Sequence, residues 1–130
     1  MLPLALALTL LRASGPAATP GALEIGERLL AQKQYARAEK ELRRAVEADP
    51  TSARAHGNLA LALLPQRKTA DAVAEARLAA AFAPKSPEAH YIYGMSLSAD
   101  GKPLDAAREY ERAVALAPSE PGPLAALAAA

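Results

Sequence analysis

"EAHYIYGMSLSADGKPLDAAREYERAVALAP", residues 88–118, carries two apolar patterns at helical spacing with a polar break between them. The first is "EAHYIYGMSLSA" and the second "PLDAAREYERAVAL". In the break, Gly101 stands where a helix C-terminus favours glycine, and Pro103 stands where a first helical turn tolerates proline. Pro118 ends the second pattern, because proline can neither donate to nor continue a helix. Pro50 and Pro84 follow apolar-rich stretches in the same way, and the three prolines are spaced 34 residues apart.

Aligned on those prolines, the chain divides into blocks 19–52, 53–86 and 87–120. Equivalent positions carry equivalent residues: Gln32, Gln66 and Asp100; Leu29, Leu63 and Leu97; Ala38, Ala72 and Ala106; Ala45, Ala79 and Ala113. Gly26, Ala60 and Gly94 are small, and each follows a large residue, Ile25, Leu59 or Tyr93. The spacing therefore predicts three tandem helix pairs. The break is "QKQY" in the first block and "PQRKTAD" in the second, where Thr69 is placed to cap the next helix and Asp71 to sit in its first turn. One helix pair buries only one face of each helix. Stacked pairs bury a continuous core, with the small residues where helix axes cross closely.

The third block, with Tyr93-Gly94, Leu97, Ala106, Tyr110, Ala113 and Pro118, resembles the tetratricopeptide repeat (TPR) family. The first block follows with Ile25-Gly26, Leu29, Tyr35, Ala38, Leu42, Ala45 and Pro50. The second departs from the pattern, with Ala60 for glycine, Arg67 at the turn glycine and Ala76 at the aromatic position. The resemblance implies an all-α solenoid of antiparallel helix pairs, three repeats over residues 19–120. Residues 121–130, "PGPLAALAAA", begin as a capping or fourth-repeat helix would.

Composition agrees with thin, closely packed helices. Hydrophobic residues make up 52% of 130, yet aromatics are only 4%, and alanine supplies much of the remainder. With 15 basic and 14 acidic residues and no basic cluster, the chain lacks the electrostatic footprint of a nucleic-acid binder. The absence of cysteine removes disulfides, thiolate catalysis and Cys-ligated zinc, and with them a lipoprotein anchor. Residues 1–18 differ from the rest. The apolar run Leu2–Leu11, then Arg12 and small residues, has the length of a signal-peptide core, although no Lys or Arg precedes it. The expectation is export to a bacterial periplasm or envelope. An extra structural helix, with a cytoplasmic protein, is the alternative, and an uncleaved segment would be the only membrane contact.

No arrangement of residues announces catalysis. A Ser-His-Asp set, metal-spaced carboxylates and a Gly-rich phosphate loop are all missing, so neither an enzyme, a small-molecule substrate, a metal nor a cofactor is expected. His56 and His90 occupy the same repeat position, where the resemblance implies Trp, and read as half-buried structural rings. The acidic residues of "EKELRRAVE" and "REYERAV" read as a solvated face paired with Lys and Arg.

The resemblance implies a peptide-binding groove formed mainly by first helices. Its positions here are Leu23, Glu24, Glu27 and Leu30; Arg54, Asn58, Leu61 and Leu64; Glu88, Tyr91, Ile92, Met95 and Ser98. Leu23, Leu61, Tyr91, Ile92 and Met95 offer apolar surface, and Asn58 can bond a peptide backbone. Leu30, Leu61 and Leu64 can equally pack against neighbouring helices. One TPR subclass grips heat-shock chaperone C-terminal tails with Lys, Asn and Arg at five groove positions. Here those positions hold Leu23, Glu27, Asn58, Glu88 and Ile92, which disfavours such tails and favours a protein or peptide with apolar and basic residues. A self-assembly module, or the TPR part of a larger enzyme or secretion component, are the competing readings.

Overall fold

The computed structural model describes residues 21–117. Pro118 and the segments 1–18 and 121–130 lie outside the described residues. Among the described residues six α-helices follow one another: α1 (Ala22–Ala31), α2 (Tyr35–Ala48), α3 (Ala53–Leu63), α4 (Thr69–Phe82), α5 (Pro87–Ala99) and α6 (Pro103–Leu116). A single 3-10 turn, Leu64–Gln66, prolongs α3. Each helix packs on the next in the chain, and α3 also touches both α1 and α5. This is a solenoid of three antiparallel pairs with its first helices side by side. Among the described residues no helix is long and apolar enough to cross a membrane.

Helix starts follow local chemistry. The Ser52 and Ser86 hydroxyls each accept a bond from the backbone N–H three residues on, at 3.1 Å, and so cap α3 and α5. Pro87 and Pro103 open their helices. Thr69 does not cap α4, contrary to its sequence reading. It is itself the first helical residue, and its hydroxyl donates to Asp100 Oδ1 across the repeat boundary at 3.0 Å.

The turn inside each pair is the same Schellman closure three times. Gln34, Lys68 and Lys102 donate to the carbonyls of Leu29, Leu63 and Leu97, while Lys33, Arg67 and Gly101 donate three residues back. That closure needs a left-handed residue, and Lys33, Arg67 and Gly101 have φ of 60°, 61° and 75°. Only the third repeat supplies the residue type that adopts this conformation without penalty.

The close crossing within each pair is a matter of volume. A Cβ on Gly26 would stand 2.5 Å from Leu42 Cγ, and one on Gly94 would stand 2.6 Å from Tyr110 Cε1. In the second repeat Ala60 occupies the glycine position, and there the facing residue is Ala76 rather than Leu or Tyr; both are fully buried. Loss of the glycine is thus matched by loss of the large partner. The departure of this repeat from the family pattern is a compensated pair.

The two histidines are more buried than expected, with only 3% and 7% of their surface exposed. His56 Nδ1 lies 2.6 Å from Glu75 Oε2 and its Nε2 2.7 Å from the Pro50 carbonyl. His90 repeats the arrangement with Glu109 Oε1 and the Pro84 carbonyl, both at 2.8 Å. Both nitrogens of each ring thus face an oxygen partner. Each histidine therefore ties the preceding turn to both helices of its own repeat. Glu109, expected on a solvated face, is buried, held by His90 and by Arg112 at 2.7 Å. Glu39 likewise leaves that face: it accepts from Gln66 and Lys68 of the next repeat, both at 3.0 Å, and from Arg43.

Two stability outcomes follow from these packing rules. Ala76→Leu is expected to destabilise by about 1–3 kcal/mol through overpacking against Ala60. Ala60→Gly in the same chain should recover part of the loss by recreating the first repeat's pair, which urea unfolding of the single and double variants measures. Arg67→Gly is expected to stabilise by about 1 kcal/mol and Gly101→Ala to destabilise by a similar amount. Opposite shifts of the urea midpoint are the check.

Candidate functional site

The side-by-side packing of α1, α3 and α5 leaves a cleft of about 560 Å³ on the first-helix face. Its polar edge comes from Glu27 of α1, Arg54 and Asn58 of α3, and Ser86 and Glu88 at the start of α5. Its floor is apolar and mostly small: Gly57, Leu61, Ala79, Ala83, Ala89 and Ile92. Gly57 keeps that floor deep, since a Cβ there would stand 3.3 Å from Ile92 Cδ1 and 3.7 Å from Ala79 Cβ.

Six of the thirteen groove positions expected from sequence meet in this cleft: Glu27, Arg54, Asn58, Leu61, Glu88 and Ile92. The other seven lie elsewhere, Ser98 among them, exposed on α5. Leu23 is half-buried against the first core cluster, with Leu30 and Leu64. Tyr91 and Met95 pack against the second, where the Tyr91 ring lies 5.8 Å from that of Tyr110. Glu24 is exposed on α1, outside the cleft. Sequence reasoning missed Gly57 and the second-helix contributions Ala79 and Ala83. Alanine at a buried crossing and alanine on a cleft floor are indistinguishable in sequence.

The cleft's charges are arranged asymmetrically. Glu27 takes both donors of the Arg54 fork, Nε to Oε2 at 2.6 Å and Nη2 to Oε1, and also accepts from Asn58 Nδ2 at 2.7 Å. Chiefly through the Arg54 hydrogen bond, and against the effect of burial, the Glu27 carboxyl is held below the usual carboxylate range. Glu88 accepts only the Ser86 hydroxyl at 3.1 Å, and among the described residues no cation lies within ion-pair distance of it. The charge of Glu24 acts on Arg54 without a direct contact. The cleft thus carries surplus negative charge above an apolar floor.

Nothing in the described residues gathers three metal-ligating side chains. His56 and His90 are each engaged by a glutamate and a carbonyl rather than by one another.

A family model described as tetratricopeptide repeat matches residues 23–87 and again 66–121. Comparison with curated proteins finds no sequence match. Among solved structures, the first TPR of Spaghetti (RPAP3) bound to the HSP90 peptide SRMEEVD is similar at 26% identity and a TM-score of 0.77, covering 83% of this chain and 86% of that one. The first TPR domain of human RPAP3 gives 26% identity and a TM-score of 0.78, with 83% and 85% covered. The Sgt2 TPR domain from Aspergillus fumigatus, at 20% identity, shares the fold with a TM-score of 0.78 over 83% of this chain and 73% of that one.

Because Glu27 is paired with Arg54 and Asn58 only in the folded protein, its contribution to stability is full above the ordinary carboxylate pKa and is lost as pH falls through its lowered folded value. Glu27→Gln is therefore expected to lose less stability than the wild type on going from about pH 6 to about pH 3. Thermal unfolding at the two pH values measures the difference.

Proposed function

The chain belongs to the tetratricopeptide repeat family, and we propose that it is a non-catalytic interaction scaffold whose first-helix cleft holds a peptide segment of another protein. The observation that carries this reading is the cleft itself: an apolar floor rimmed by polar groups contributed by all three repeats. The similar RPAP3 domain with a bound HSP90 peptide supports a peptide as the ligand class. That peptide, SRMEEVD, is acidic towards its C-terminus. The cleft here has the same sign as that peptide, with Glu88 unpaired by any cation among the described residues and Glu27 already holding the arginine on its rim. The ligand that fits is a segment with an apolar anchor for the Leu61 and Ile92 floor and a Lys or Arg to meet Glu88.

Export to a bacterial envelope belongs to the same proposal and is carried by the apolar run Leu2–Leu11. A peptide entering such a site buries few side chains, so the affinity expected is micromolar, about 10⁻⁵–10⁻⁶ M.

The test is fluorescence anisotropy with a labelled, amidated peptide SRMKKVL against the wild type and Ile92→Arg. Saturable binding by the wild type, weakened about tenfold or more in the variant at unchanged helicity, is the expected outcome. Equal binding by both would move the interface off the cleft.

A further inference from the structure

We propose that Glu27 is the specificity determinant of this cleft: an internal carboxylate that occupies the donors of Arg54 and Asn58 and thereby excludes acidic peptides. The inference rests on the reading of the cleft as a peptide site, and it concerns which charge that site admits.

Among the described residues the cleft rim holds one cation, Arg54, and one amide donor, Asn58. A carboxylate ligand would need both, since the guanidinium fork offers two parallel N–H groups and the amide a third. Glu27 already receives Nε and Nη2 of Arg54 and Nδ2 of Asn58. Chemically this is the arrangement a bound acidic side chain or chain terminus would adopt, built from the protein's own α1. The partners lie 27 and 31 residues from Glu27, so the contact spans the boundary between the first and second repeats. An incoming carboxylate would find its donors taken and a like charge beside it, with Glu88 across the rim. A cationic side chain meets no such obstacle.

Removing Glu27 should therefore change the sign of the ligand accepted. In Glu27→Ala, the Arg54 fork and the Asn58 amide face open space at the edge of the apolar floor. The Arg54 and Glu27 side chains are 62% and 30% exposed, so the substitution leaves the buried core intact.

The experiment measures binding of two labelled peptides, acidic SRMEEVD and amidated SRMKKVL, to wild type, Glu27→Ala and Glu27→Ala/Arg54→Ala, with helicity recorded for each. The expected result is a gain of about tenfold or more for SRMEEVD in Glu27→Ala, abolished in the double variant. Loss of that gain with Arg54 distinguishes freed donors from a general loosening of the cleft. Wild type binding the basic peptide while Glu27→Ala gains nothing for the acidic one would overturn the inference and leave the peptide-site reading standing. Wild type binding SRMEEVD as tightly as Glu27→Ala would also overturn it. Wild type binding neither peptide, with an Arg54-dependent gain in Glu27→Ala, would support the inference and count against the native ligand being basic.

Discussion

The distance between the two helices of a pair is the constraint on which this structure depends. At each crossing the space available is fixed by one small residue and its facing partner: Gly26 with Leu42, Ala60 with Ala76, Gly94 with Tyr110. The three solutions differ in residue type but share one requirement, that the first helix presents little or no side chain where the second helix passes. Pairs kept equally thin can stack at a constant offset. That offset brings α1, α3 and α5 side by side and puts Glu27 within bonding distance of Arg54 and Asn58. The cleft is a consequence of the crossing rather than a separate construction.

Much of the architecture was legible because it is local and periodic. The 34-residue interval, the helix start at Pro103 and the glycine at the turn position 101 can all be read from spacing and residue type. Lys33 and Arg67 adopt the same left-handed conformation without the residue that announces it, because two backbone hydrogen bonds at each turn hold them there. Thr69 misled for the opposite reason. A capping residue type stood at a helix start, but a partner 31 residues away claimed its hydroxyl.

The site was less legible, since its chemistry depends on which residues face each other across repeats. Charges such as Glu39 and Glu109 look like solvated-face residues in any window of one helix, and only the neighbouring helices reveal Gln66, Lys68 or His90 opposite them. One signal was available. His56 and Glu75 are separated by 19 residues, as are His90 and Glu109, and a polar pair kept at the repeat period implies a bond. Tyr91 and Met95 are apolar enough for either a groove or a core, and packing against Tyr110 and its neighbours decided for the core.

The histidine ties have a further meaning for how the array comes apart. In a linear chain of repeats, stability is approximately the sum of each unit's own stability and its coupling to the nearest neighbours. His56 and His90 concentrate polar coupling at the entries to the second and third units, joining each preceding turn to both helices that follow. At the equivalent place in the first unit stands Ala22, which has no side-chain donor, while Glu41 occupies the place of Glu75 and Glu109 and, among the described residues, pairs only with Arg44. Each of these two units is therefore closed on itself and tied to the turn before it, whereas the first is joined to its neighbour through Glu27 and Glu39. Because Glu27 carries part of that joint, an opening of α1 would also release Arg54 and Asn58.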